Sequence, residues 1–297
     1  MNNFSRRSFL KNSGIALAGS SLALQQLSTF AAERANVKHL GVQLWSIRDD
    51  MNKDPKATVA ALAKMGYKEV EGFGYDAKTG LIFGTPLKDY VKLLKENGIS
   101  MPSSHYMVTS EDFKTGMLSD TAKKGIDDLA NIGQKYVVCP YMIDADRANP
   151  AEMVKLFKAA GEYCRKAGVR FGYHNHDFEF KKAADGRLIY EWLLQEVDPL
   201  LMGMEMDIYW VNFANHNPRD WFRLYPGRFE LCHVKDMARS EKRETIEVGE
   251  GSIDFQGVFN DRIKAGLRYY IIELENYVTT PMKGVELCRK NFGKLKF

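Results

Sequence analysis

The chain reads as an α/β protein of the (β/α)8 barrel class. Three observations predict it. From His39 onward, eight short apolar runs alternate with longer amphipathic stretches, the pattern of parallel strands joined by right-handed crossovers. Glycines at 66, 98, 133, 168, 227 and 266 stand just before successive runs, where a helix end needs left-handed backbone. About 265 residues follow the N-terminal segment, close to the roughly 250 of a closed eight-fold barrel. No Gly-x-Gly-x-x-Gly follows the first run, so a dinucleotide-binding fold lacks its mark.

The expected strands are 40–45, 69–73, 101–105, 136–140, 170–174, 202–207, 229–234 and 269–273. Helical spacing of apolar residues falls between or after them: around 57–63, then 87–96, 122–132, 151–167, 188–196, 219–225, 255–265 and 282–291. Asn97-Gly98 is a clear helix stop. The Gly- and Lys-containing insertion 76–85 after the second strand is expected to lie over the active face. No domain boundary or low-complexity linker interrupts residues 33–297, which are read as one catalytic domain.

The N-terminus is an address. Arg6-Arg7 with Phe9-Leu10-Lys11, an apolar stretch 14–24, and small residues at Thr29, Ala31 and Ala32 form a charged region, a short apolar core and a cleavage site. The apolar stretch is too short to span a membrane. The segment 1–32 resembles a twin-arginine signal peptide, so the expected partner is the twin-arginine translocase and the expected location is periplasmic or otherwise exported. No cysteine lies near the cleavage region, which argues against a lipoprotein. The formal charge of +4 falls to about neutral without Arg6, Arg7 and Lys11, giving no case for nucleic acid. Four cysteines at 139, 164, 232 and 288 show no metal-binding spacing and are expected as buried free thiols.

In such a barrel the active site lies at the C-terminal strand ends. There the sequence places Glu71, His105, His174 with His176, Glu205 with Asp207, His233 with Lys235, and Glu273 with Glu275. Period two puts each pair on one strand face. A lone strand-end His is ordinarily structural, and Glu-x-Asp can be two solvated charges. Convergence from four neighbouring strands changes that reading, because crowded carboxylates repel unless a cation sits among them. The His/Asp/Glu mixture suits Mn²⁺, Zn²⁺, Co²⁺ or Fe²⁺. Lys235 can hold an oxyanion or pair with Asp236 or Glu205. Trp45, Phe73, Tyr209 and Trp210 can wall a sugar or pack the barrel; Glu71 and His105 can bind hydroxyls or act as acid and base. His216, in a loop, is expected at the surface.

These residues resemble the xylose isomerase-like TIM barrel superfamily of sugar isomerases, epimerases and dehydratases. The pieces that carry the resemblance are His-Asn-His-Asp-Phe-Glu at 174–179, Met-Asp-Ile-Tyr-Trp at 206–210, His-Val-Lys-Asp at 233–236, Val-Gly-Glu-Gly-Ser-Ile-Asp at 248–254 and Glu273. The resemblance implies one divalent ion, Mn²⁺ first, held by His174, Asp207, His233 and Glu273. The strand-five position departs from the family's usual glutamate, and His176 competes with His174 for it. It implies catalysis by Glu273, His174, His176 and Lys235, with Trp45, Glu71, His105, Tyr209, Trp210 and Glu275 against substrate. The expected reaction is isomerisation or epimerisation of a non-phosphorylated sugar or keto-sugar through a metal-stabilised enediolate. The alternatives are a 3-keto-glycoside lyase or dehydratase and a non-catalytic sugar-binding barrel. The DNA-repair branch of the superfamily is excluded by the neutral charge and by Tyr209-Trp210, where that branch carries a further His.

Overall fold

The computed structural model describes residues 39–297 apart from Met107 and Ala184; the twin-arginine segment lies outside the described residues. Eight parallel strands close into a barrel in sequence order: β1 (His39–Gln43), β2 (Glu69–Gly72), β3 (Ser100–His105), β4 (Tyr136–Cys139), β5 (Arg170–His174), β6 (Met202–Asp207), β7 (Phe229–Val234) and β8 (Tyr269–Ile272). The barrel closes where β8 pairs with β1, His39 opposite Tyr269.

The helices start and stop on local chemistry. Pro55, Pro150, Pro218 and Pro281 each open a helix, preceded by the capping side chains Asp54, Asn149, Asn217 and Thr280. Proline at the first helical position sacrifices no hydrogen bond, and the cap oxygen takes an otherwise unpaired N–H. All six glycines expected at helix ends have positive φ; at Gly168, φ 82°, its N–H returns to the carbonyls of Arg165 and Cys164.

Three elements differ from expectation. β1 ends at Gln43 rather than at Trp45, because the Gln43 side chain accepts the Trp45 N–H at 3.1 Å and starts a 3₁₀ turn over Leu44–Ile47. Tyr209 and Trp210 sit on a helix, Ile208–Phe213, which Asp207 caps by accepting the Trp210 N–H at 2.9 Å. The expected helix 255–265 breaks at Asp261 into Phe255–Asn260 and Arg262–Ala265.

Alternation along the strands sets the interior. Tyr136, Val138, Leu231, Tyr269 and Ile271 form an apolar cluster of their own. Two residues further along β7 and β8 come His233 and Glu273, then Lys235 and Glu275. The intervening Cys232, Val234, Tyr270 and Ile272 belong to the large core between barrel and helices. All four cysteines are buried and free. No helix among the described residues is long and apolar enough to cross a membrane.

Candidate metal centre and cavity

β5 to β8 bring His174, Asp207, His233 and Glu273 together, with one ligand atom of each within 4.8 Å of the others. All four are buried. Asp207 carries two tasks: one oxygen caps the following helix, while Oδ2 accepts no hydrogen bond. The nearest cation to Oδ2 is Lys235 Nζ at 3.3 Å. Burial pushes the Asp207 carboxyl up to about 6. An unpaired buried carboxylate oxygen is costly, and a divalent ion bound there would relieve that cost.

The histidine rings are oriented by carboxylates. His174 Nδ1 lies 3.1 Å from Glu205, leaving Nε2 toward Asp207 at 3.9 Å. His233 Nε2 lies 2.7 Å from Glu71, leaving Nδ1 toward Glu273 at 3.0 Å. A carboxylate behind a ligating imidazole fixes which nitrogen faces the metal. Two nitrogens and two carboxylate oxygens converging in this way fit Mn²⁺, Zn²⁺, Co²⁺ or Fe²⁺.

Lys235 is fully buried and reaches Glu273 at 2.8 Å, Glu275 at 2.7 Å and Asp207 at 3.3 Å. The pairing expected with Asp236 or Glu205 does not form. Asp236 instead accepts the N–H groups of Gly249, Gly251 and Ile253, tying down the loop after β7. Burial opposes charge on Glu273, but Lys235 and His233 outweigh it and hold the carboxyl well below its usual range. Burial drives His174 down to about 3, so the imidazole is neutral and able to ligate.

Beneath this cluster lies a layer that the strand-end reading missed. One oxygen of Glu205 faces His105 at 2.7 Å, His174 at 3.1 Å and His233 at 3.2 Å. Glu71 accepts from Gln43 at 2.7 Å and from Ser103 at 2.7 Å, besides facing His233. Expected at the mouth against substrate, Glu71 is instead fully buried, held inside the barrel by Gln43, Ser103 and His233. Gln43 and Ser103 carried no sequence signal. Glu205 did, as the inward partner of Asp207.

Above the cluster opens a cavity of about 750 Å³. Of the expected site residues, Trp45, His105, His174, His176, Glu273 and Glu275 line it, with Phe73 beside them. Asp76 and Lys78 confirm that the insertion reaches over this face. Tyr209, expected against substrate, is buried with its hydroxyl donating to the Arg243 carbonyl at 2.9 Å, because it sits on the helix after β6. Trp210, carried by the same helix, packs its ring 5.5 Å from His176. His176 Nδ1 is buried without a partner, and its backbone N–H donates to Glu179 at 2.8 Å. His216 is half-buried against Phe180 and Trp221 rather than simply exposed.

The fold and the converging ligands define a class, and comparison with known proteins agrees. The sequence profile of the Xylose isomerase-like TIM barrel matches residues 59–290, and the chain belongs to that family. Two solved structures from Parabacteroides distasonis ATCC 8503, each described as a sugar phosphate isomerase/epimerase, are similar over nearly their full length. One is 30% identical, covering 86% of this chain and 94% of that one, with a TM-score of 0.74. The other is 25% identical, covering 87% and 98%, with a TM-score of 0.72. A structure described as IOLI protein with a binding zinc atom shares the fold at 14% identity, covering 86% and 96%, with a TM-score of 0.63. No curated protein matches the chain.

Proposed function

We propose that the protein is a divalent-metal-dependent isomerase or epimerase acting on a non-phosphorylated sugar or keto-sugar. One observation carries this reading: His174, Asp207, His233 and Glu273 converge at the floor of a ligand-sized cavity, with an Asp207 oxygen that accepts no hydrogen bond. The names of the two Parabacteroides relatives support the sugar isomerase/epimerase class. A divalent ion held by these four residues would supply a Lewis acid for two adjacent sugar oxygens.

The chain's own groups do the rest. Glu273, kept ionised by Lys235, takes the proton from the carbon beside the sugar carbonyl. Lys235 stands beside it as a fixed positive charge for the oxygen that gains negative charge. The proton now on Glu273 returns to the neighbouring carbon, while His176, neutral and lining the cavity, offers the sugar a hydrogen-bond partner. Among the lining residues the one Lys or Arg is Lys78, which is exposed, so a phosphate would find no cradle of basic groups. The twin-arginine segment supports export, to a compartment where phosphorylated sugars are scarce.

A second reading is a 3-keto-glycoside lyase, favoured by the unlike groups on the cavity floor, a carboxylate and an imidazole. There Glu273 takes the C–H proton, the β carbon–oxygen bond breaks, a carbon–carbon double bond forms and the proton held by Glu273 passes to the departing oxygen. The test incubates Mn²⁺-loaded protein in D₂O with free aldoses, ketoses, their phosphates and 3-keto-glucosides. Deuterium entering recovered sugar supports the isomerase; release of the aglycone supports the lyase. Neither event across the panel, or preference for the phosphates, would sink the proposal.

A further inference from the structure

We infer that the substrate carries a second, aromatic ring, and that this ring packs in the half of the cavity formed by the loops after β1 to β4. This rests on the sugar chemistry proposed above. The four candidate metal ligands come from β5 to β8, yet the cavity reaches across the barrel mouth to the opposite loops. Its volume of about 750 Å³ sits in the upper part of the range for ligand pockets, roughly 300–1,000 Å³. A single sugar ring over the four ligands leaves the far half unfilled.

That far half is walled largely by rings, with Thr109 and Thr121 among them, and two of the rings have their hydroxyls engaged elsewhere. Tyr75 donates its hydroxyl to Asp128 at 2.5 Å, and Tyr106 donates to the Thr121 carbonyl at 3.0 Å. Trp45 and Phe73 meet edge to face, centroids 4.7 Å apart. Tyr141 stands edge-on to His176 at 5.1 Å and is 37% exposed. The charged lining residues on this side, Asp76 and Lys78, are exposed. A second sugar would need hydrogen-bond partners for several hydroxyls, since an unpaired buried hydroxyl is costly. An aromatic ring needs only flat apolar surface and ring edges, which this wall supplies. His176 lines the same cavity beside Tyr141.

Calorimetric titration of the Mn²⁺-loaded protein with phenyl β-glucoside, methyl β-glucoside and cellobiose tests the inference. The phenyl glycoside should bind about tenfold more tightly than the methyl, the size of one good ring contact plus its burial. Cellobiose should bind no better than the methyl glycoside. Tyr141→Ala should cut the phenyl-to-methyl ratio to about threefold or less, and Tyr141→Phe should keep it. Equal affinity for phenyl and methyl, tighter binding of cellobiose, no binding of any of the three, or a ratio untouched by Tyr141→Ala would each overturn it. Equal affinities alongside intact deuterium exchange overturn this inference alone. A phenyl preference without exchange overturns the proposed chemistry alone.

Discussion

The two ends of the barrel bury charge in opposite ways. At the N-terminal end Glu230 has both oxygens engaged: Arg170 at 2.5 Å, Tyr136 at 2.8 Å and Arg268 at 3.5 Å. At the C-terminal end Asp207 Oδ2 and Glu205 Oε1 accept no hydrogen bond. Burying a carboxylate costs several kcal/mol unless partners replace its water. At the lower end Glu230 meets that cost with Tyr136 and two arginines and so serves stability, although Glu69 Oε2 at the start of β2 accepts no hydrogen bond. The upper end leaves Asp207 Oδ2 without a hydrogen bond beside His174, His233 and Glu273, an arrangement suited to binding a cation rather than to holding the fold.

The sharpest way to break this contrast is Asp207→Asn. Loss of a ligand to a Lewis acid worth several kcal/mol should lower turnover by about a thousandfold or more and abolish Mn²⁺ binding. The same variant should raise the thermal midpoint of the metal-free protein, because it removes a buried charge. A metal-free midpoint that falls instead would show the upper end to be structural. Glu205→Gln tests the layer below. It keeps the shape but weakens the hold on His174, His105 and His233, so Mn²⁺ affinity should drop by about 10- to 100-fold in a competition titration.

Glu230→Ala is the mirror experiment. It strands the Tyr136 hydroxyl and unpairs two partly exposed arginines, costing about 1–3 kcal/mol in urea unfolding. Turnover per folded molecule should stay at the wild-type level. The smallest effect concerns pH. Burial lifts Glu179 from the ordinary 4.5 to about 8, so the folded state holds a proton that the unfolded state has lost across that interval. Its stabilising contribution is therefore complete below about 4.5 and declines as pH rises through about 8. Glu179→Gln should flatten the stability profile over that window; an unchanged slope would place the titration elsewhere.

Much of this molecule is written locally. The alternation at Leu231, His233 and Lys235 tells which side chains share a strand face, and Pro150 with Gly168 marks both ends of a helix. Those signals need only neighbours in the chain, so strands and helices were legible in the sequence, while the choice of His174, Asp207, His233 and Glu273 as one cluster came from the family resemblance. Trp45 misled because a strand and the turn leaving it look alike in hydrophobicity, and Tyr209 because an aromatic residue packed beside a barrel reads like one at its mouth. Gln43 capping one turn and Asp207 the next decided where each strand stopped.

From sequence alone came the barrel, its order and the set His174, Asp207, His233 and Glu273. Tertiary structure alone decided what stands behind and opposite them. Glu71 meets His233 across 162 residues of chain, and the aromatic wall assembles from four separate loops. Closure of the barrel creates those contacts across its interior, and no local period encodes which residues a closed sheet brings face to face.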